Sequence, residues 1–563
     1  MTRIGACLLG LSLTTCAALV GCSASDDDED TAAGRSYDDP SYTGKGGSSG
    51  KGGSTSSGVI IPGQEQEPPY ETDSGSGGSG SVAEEEPPPP PLGTNPFVIA
   101  THDPLSTFAA DVDTASYDIF RQYVNAGMLP EPDSVRLEEY VNSFTYEYVA
   151  PEQGAEHPFS ISLAAAPSLF EWDTTILRVG IQGITPPPED KKPANIVFLV
   201  DVSGSMSSAD KLPLVQQVLD ETVDVLDATD TISIVTYAGS TEVRLEPTPV
   251  ANAATIKAVI DALASGGSTA GAAGIDLAYQ QAEAGFIDGG INHVVLCTDG
   301  DFNVGPSSTD ELLTLIEEKR ATGITLTALG FGIGSNDAMM QAVSNAGNGM
   351  HAVISSSAQA TEYVQEQMLS TLVHIAKDMK IQVEFNPEYV LAYRLLGYEN
   401  RAVADDDFRD DAVDAGEIGA GHRVTALYEV VRTGSELPAA DGAPMAEDGA
   451  VYDGVVEVGA EDLVLVKVRY KQPGATESDP ASEVASSLAP SAIAADATEL
   501  DADFQWALSV ASFAEILRQS PYAVPERLSA IEALVTRPAH EALDDRVEFV
   551  ELFNKAKPML TAP

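Results

Sequence analysis

The sequence predicts an α/β protein: a doubly wound, mostly parallel sheet with helices on both faces, flanked by an antiparallel β module and a C-terminal helical segment. Three observations carry this. Asn195 to Val200 is an apolar run long enough for one buried parallel strand, and it ends abruptly in Asp201-Val202-Ser203-Gly204-Ser205-Met206. Strand and helix signals then alternate to about residue 378, as they do when a parallel sheet is covered on both sides. From Lys380 the pattern changes to period two: Ile381, Val383 and Phe385 alternate, as do Val464, Val466 and Val468.

The chain divides as follows. Residues 1–21 read as a signal peptide, with Arg3 as the basic start and Leu8 to Val20 largely apolar but too short to span a bilayer. Residues 22–93 are a low-complexity tether of acidic, Gly/Ser and Pro runs, a composition with too little apolar surface to offset the entropy of ordering. A coil of that length spans about 45 Å, enough to hold a globular head clear of a membrane. Residues 95–185 form an N-terminal region. Asp113 or Thr114 is expected to cap a helix through Ile119, Phe120, Tyr123 and Val124, ended by Gly127. A short helix follows over Arg136 to Phe144, then strands at 159–164 and 176–181.

The central α/β domain is expected over 194–378. Its strands fall near 196–201, 231–237, 292–298, 324–330 and 350–354, with an edge strand near 242–245. Its helices fall near 211–227, 252–264, 271–284, 309–321, 337–346 and 359–377. Residues 379–470 are β-rich and are expected to pair with the strands of 159–183, making the α/β domain an insertion in a β sandwich. Residues 471–498 read as a linker and 499–557 as helical, with Phe504, Leu508, Phe513, Ile516 and Leu517 packing inward.

Charge excludes several partners. There are 30 Lys and Arg against 86 Asp and Glu, a net charge of −56. Nucleic acid and anionic lipid surfaces would both repel such a chain, so contact with a membrane must come through an N-terminal lipid. Cysteine use agrees: Cys7 and Cys16 leave with the signal, Cys22 ends a stretch that resembles a lipobox, and Cys297 sits in an apolar run as a small core residue, so with Cys22 lipidated the mature chain has no intrachain disulfide.

The chemistry gathers at strand ends. Asp201, Ser203 and Ser205 follow the first strand at alternate positions. Open α/β sheets bind ligands beyond the carboxyl ends of their strands. A carboxylate beside two hydroxyls suits a hard cation such as Mg²⁺, with Mn²⁺ or Ca²⁺ as alternatives. The small-residue loop Gly266 to Gly271 adds Thr269, and the run Val294 to Gly300 adds Asp299.

The five residues Asp201, Ser203, Ser205, Thr269 and Asp299 resemble the metal-ion-dependent adhesion site (MIDAS) of von Willebrand factor type A (vWA) domains, a Rossmann-like fold. A narrower resemblance, over roughly residues 95–555, is to bacterial lipoproteins that carry this domain between flanking regions of their own. It rests on Leu105 to Tyr117, Arg136 to Tyr140, Thr298 to Asn303, Phe385-Asn386-Pro387, Gly397 to Arg401 and Asp414 to Tyr428. The stretch Met350 to Ile354 departs from that family's polar, aromatic-rich strand end. Leu19-Val20-Gly21-Cys22 resembles a lipobox, which implies lipidation at Cys22; Ser23 after it implies the outer membrane of a bacterial envelope.

The resemblance implies that both serines bind the metal directly, that Thr269 and the two aspartates bind directly or through water, and that a partner's Asp or Glu carboxylate completes the coordination. Asp301 and Asn303 flank the metal loop as candidate rim residues. The expected function is therefore metal-bridged protein binding, in adhesion or envelope assembly, and not catalysis. The chain has no Gly-x-Ser-x-Gly elbow, His-Glu-x-x-His motif or Gly-Lys-Ser/Thr phosphate loop. Two alternatives stand beside it: a scaffold that docks through the flanking regions over a structural metal, and a metal-dependent hydrolase.

Overall fold

The structure is a computed structural model. It describes residues 93–561, apart from 111, 171, 188–190, 268–271, 301–308, 333–336, 412, 414, 476–478 and 541. The expected signal and tether, with Cys22, lie outside the described residues, as do Thr269, Asp301 and Asn303. The described residues belong to one compact unit, Glu86–Pro563.

At the centre is a six-stranded sheet. Its order is His351–Ile354, Ile324–Phe331, Ile291–Thr298, Ala194–Asp201, Thr231–Tyr237 and Thr241–Pro249. All neighbours are parallel except the last pair, where the edge strand returns antiparallel. Ala194–Asp201 is buried along its whole length because it is covered on both faces. Ile196, Phe198 and Val200 pack under helices Leu212–Val225 and Ala253–Asp261 and the helical stretch 357–372. Val197 and Leu199 pack under Ala272–Ala284, Thr309–Ala321 and Asp337–Ala346. Each such side chain contributes about 1.5–3 kcal/mol by leaving water.

Two antiparallel sheets stand around this domain. One has the order Val98–Ile99, Val390–Leu396, Arg423–Arg432, Thr175–Gly183, Phe159–Pro167. The other has Gly416–Gly419, His374–Phe385, Val464–Lys471, Ser482–Leu488, with Leu105–Ala109 also paired to His374–Phe385. Leu177, Val179, Ile181, Val424 and Tyr428 meet Ile381, Val383, Phe385, Val464 and Val466 in a shared core. This is the expected sandwich: Thr175–Gly183 pairs with Arg423–Arg432, on the far side of the inserted domain. The first sheet is covered in turn by helices Ala115–Asn125, Leu137–Asn142, Ala502–Leu517, Leu528–Val535 and Asp544–Leu560, which share a core around Phe120, Trp506, Phe513 and Phe549.

Three expectations are corrected. The last helix of the α/β domain, expected to reach residue 377 within a domain ending at 378, stops at Leu372 after a π-helical turn at Tyr363–Met368. His374 already opens a long strand whose register slips twice before Lys380, and those slips blur its period-two pattern. The stretch 471–498, read as a linker, contains the strand Ser482–Leu488. Seven residues of it pair with Tyr470 to Val464, a ladder its Ser/Ala-rich sequence does not advertise.

Asp113, read as a capping group, accepts from the His351 N–H at 2.7 Å and pairs with Arg401 at 3.1 Å, while Thr114 holds the N-cap position without a side-chain bond. This contact falls on the stretch Met350 to Ile354. The strand there lies at the sheet edge and is buried beneath the N-terminal region instead of facing water.

Candidate metal centre

Asp201 ends its strand fully buried. Its Oδ1 accepts from the Ser203 N–H at 2.7 Å, and its Oδ2 accepts from the Thr298 hydroxyl at 3.3 Å. Ser203 precedes a short 3₁₀ turn, Gly204–Ser207. Met206 anchors that turn in the core, which leaves Ser205 exposed beside Ser203, their hydroxyl oxygens 2.9 Å apart.

The second loop docks on the first. The Gly204 N–H donates to the Gly267 carbonyl at 3.1 Å, and the Gly266 N–H to the Val202 carbonyl at 2.7 Å. Gly267 has φ +98°, and a Cβ there would stand 3.2 Å from the Gly239 nitrogen, so both conformation and space call for glycine.

Asp299 follows the end of Ile291–Thr298 and is 6% exposed. Its Oδ2 accepts from the Lys211 ammonium at 2.9 Å. Burial pushes the Asp201 carboxyl above its ordinary range, the Ser203 N–H and hydroxyl oppose this, and the negative charge of Asp299 adds to it. Tyr237, buried behind Asp201, has its phenol raised well above its usual range by burial and by the Asp201 charge.

Four of the five expected ligands are described: Asp201, Ser203, Ser205 and Asp299 lie together at the strand ends, and Gly266 and Gly267, which lead toward Thr269, are hydrogen-bonded to the same turn. Sequence reasoning missed Lys211, Thr298 and Tyr237. Thr298 lies next to Asp299 and was within reach of the motif; Lys211 and Tyr237 meet the site only through the fold.

The donor set fits a hard cation. It is all oxygen, with two carboxylates in the charge field of one another and two neutral hydroxyls at the mouth. Among the described residues no three His, Cys, Asp or Glu side chains gather as a metal cage.

Fold and site together define a protein built around a vWA domain. The family model "von Willebrand factor type A domain" matches residues 195–367, one described as "von Willebrand factor" matches 91–178, and "Uncharacterized protein YfbK, C-terminal" matches 370–559. Domains of this class commonly mediate protein interactions and often do so through a metal at this site. The chain belongs to the YfbK family: it is 39% identical over 390 residues to the uncharacterized protein YfbK of Escherichia coli (strain K12), covering 68% of this chain and 67% of that protein. Solved structures that resemble it include a von Willebrand factor type A protein from Catenulispora acidiphila, at 15% identity, 72% of this chain, 92% of that chain and a TM-score of 0.40. The ArnB paralog VWA2 from Sulfolobus acidocaldarius matches at 15% identity, 72% and 98%, with a TM-score of 0.34.

Proposed function

We propose that this chain is a lipoprotein of the bacterial outer membrane, anchored at Cys22, that binds a protein partner through Asp201, Ser203, Ser205, Thr269 and Asp299. The observation that carries the reading is the pair of serine hydroxyls 2.9 Å apart at the mouth of a buried carboxylate site. When bound, Mg²⁺, or Mn²⁺ or Ca²⁺ in its place, supplies a coordination position for an Asp or Glu of the partner. Asp201 orients the turn through the Ser203 N–H. The Gly204 N–H bond to the Gly267 carbonyl ties the two loops together, and exposed Ser205 faces the partner. The role is binding and not catalysis, in adhesion or envelope assembly.

The test is a pull-down from envelope extract with residues 95–563, in Mg²⁺ and in EDTA, beside Ser205→Ala. Ser205 is exposed, so its loss leaves the circular dichroism spectrum unchanged while Mg²⁺-dependent capture falls at least about tenfold, the equivalent of one lost charge-assisted contact. Equal capture in all three conditions defeats the reading.

That outcome would favour the scaffold reading. It draws on the connection between Arg423–Arg432 and Val464–Lys471, where Met445, Val451 and Val455 are 90%, 71% and 86% exposed.

A further inference from the structure

Lys211 stands at the start of helix Leu212–Val225, and its ammonium lies 2.9 Å from Asp299 Oδ2. The contact is built in from both ends. Asp299 is nearly sealed, its side chain 3% exposed, and that of Lys211 is 19% exposed. The lysine stem runs across Gly332, where φ is +83° and a Cβ would stand 2.5 Å from Lys211 Cε. A side chain at 332 would force the lysine stem, or the left-handed backbone at 332, to shift. The helix start is tied down as well: the Lys211 carbonyl accepts from the N–H groups of Leu214 and Val215 at 2.8 and 3.0 Å.

Counting charge shows what this does. Asp201 and Asp299 alone would be neutralised by a divalent cation. Counting Asp201, Asp299 and Lys211, the metal-free group carries one negative charge and the metal-loaded group one positive charge. A site that ends positive, on a chain of net charge −56, binds its cation less tightly but draws an anionic group to the open position.

We propose that Lys211 sets the charge of this site: it serves as the resident counter-ion of Asp299 when metal is absent, and it exchanges metal affinity for carboxylate affinity when metal is present. This rests on the metal-binding reading of Asp201, Ser203, Ser205 and Asp299, and it adds the residue that governs how tightly cation and carboxylate are held.

The experiment is titration calorimetry of the 95–563 chain with Mg²⁺, in chloride and then in acetate at equal ionic strength, together with melting temperatures with and without Mg²⁺. The proteins are wild type, Lys211→Met, Lys211→Arg and Gly332→Ala. Lys211→Met should bind Mg²⁺ about tenfold more tightly in chloride, from loss of a like charge beside the cation. Acetate should tighten Mg²⁺ binding in wild type and do so less in Lys211→Met. The variant should melt lower than wild type without Mg²⁺, and the gap should close when Mg²⁺ saturates. Lys211→Arg should stay near wild type. Gly332→Ala, which keeps the lysine but displaces its stem, should shift Mg²⁺ affinity in the same direction as Lys211→Met, and it serves as the deciding variant if Lys211→Met does not fold. Equal or weaker Mg²⁺ binding in the deciding variant, with wild type binding Mg²⁺, overturns the role of Lys211 alone. Absence of Mg²⁺ binding by wild type and every variant overturns the metal reading and this inference with it.

Discussion

Burial holds His293 neutral in the fold. It is 2% exposed, its Nδ1 lies 2.6 Å from the Thr325 hydroxyl, and burial with the nearby His374 pulls it down to about 3. The unfolded chain takes up that proton near 6.5 and the folded chain does not until about 3. The unfolded state therefore binds more protons below 6.5. Stability from this group is complete above 6.5 and falls as pH drops, by about 1.4 kcal/mol per pH unit. Asp118 works in the opposite sense, pushed up to about 7 by burial against the pull of Arg121, so the measurement is a difference. His293→Asn keeps a polar group toward Thr325 and has nothing to protonate. Urea midpoints from pH 7 to pH 5 should fall more steeply for wild type than for the variant; parallel slopes would show that His293 protonates freely in the fold. At this scale the candidate ligands Asp201, Ser203 and Ser205 were legible because alternate spacing after a strand end is a local signal. Lys211 was not, because the chain between Lys211 and Asp299 carries no pattern that predicts their meeting.

Helix Ala502–Leu517 is buried along nearly its whole length, and its entry is fixed by one residue. The Asp501 side chain accepts from the Phe504 N–H at 2.6 Å and pairs with Arg178 of the strand Thr175–Gly183 at 2.9 Å. Burial opposes the ionised form, but Arg178 and the Phe504 N–H hold the carboxyl below its ordinary range. Asp501→Ala should cost about 1–2 kcal/mol, the usual loss for an N-cap, read from chemical denaturation; an unchanged midpoint would show that water replaces the cap. Elements like this one were legible where periodicity and composition agreed: the parallel strands follow unbroken apolar runs, and Phe504, Leu508 and Phe513 lie in the core as expected. Legibility ended where partners decide. Ser482–Leu488 is a strand because Val464–Lys471 offers it a ladder, and the helix after Tyr363 gives way because His374 is claimed by the sandwich.

Across the whole molecule, the sandwich and the closing helices are joined by buried charge. Arg394 on strand Val390–Leu396 meets Glu429 at 2.7 Å and Glu515 at 2.9 Å, all three fully buried. Burial opposes ionisation of Glu515, yet Arg394 and Arg518 outweigh it and hold the group at about 2. Glu429 is raised by burial, because it shares Arg394 and feels Glu515. Arg394→Met would leave two carboxylates sealed together with one guanidinium fewer, and should lower stability by about 3–5 kcal/mol, with the closing helices the first to lose protection in hydrogen exchange. Uniform loss of protection across all three layers would show that the layers unfold as one.

The insertion has a consequence for the chain as it is made. Thr175–Gly183 pairs early with Phe159–Pro167, but its second ladder partner comes long after it: Gln182 and Gly421, bonded across that seam, are 239 residues apart. The vWA domain between them has its own sheet and two helix layers, and can close first. Until the far strands arrive, an apolar β edge stands open, the condition under which slow, non-local pairing invites association with other chains. The excess of acidic residues along the chain then does a second job, since like-charged nascent chains repel one another through that interval.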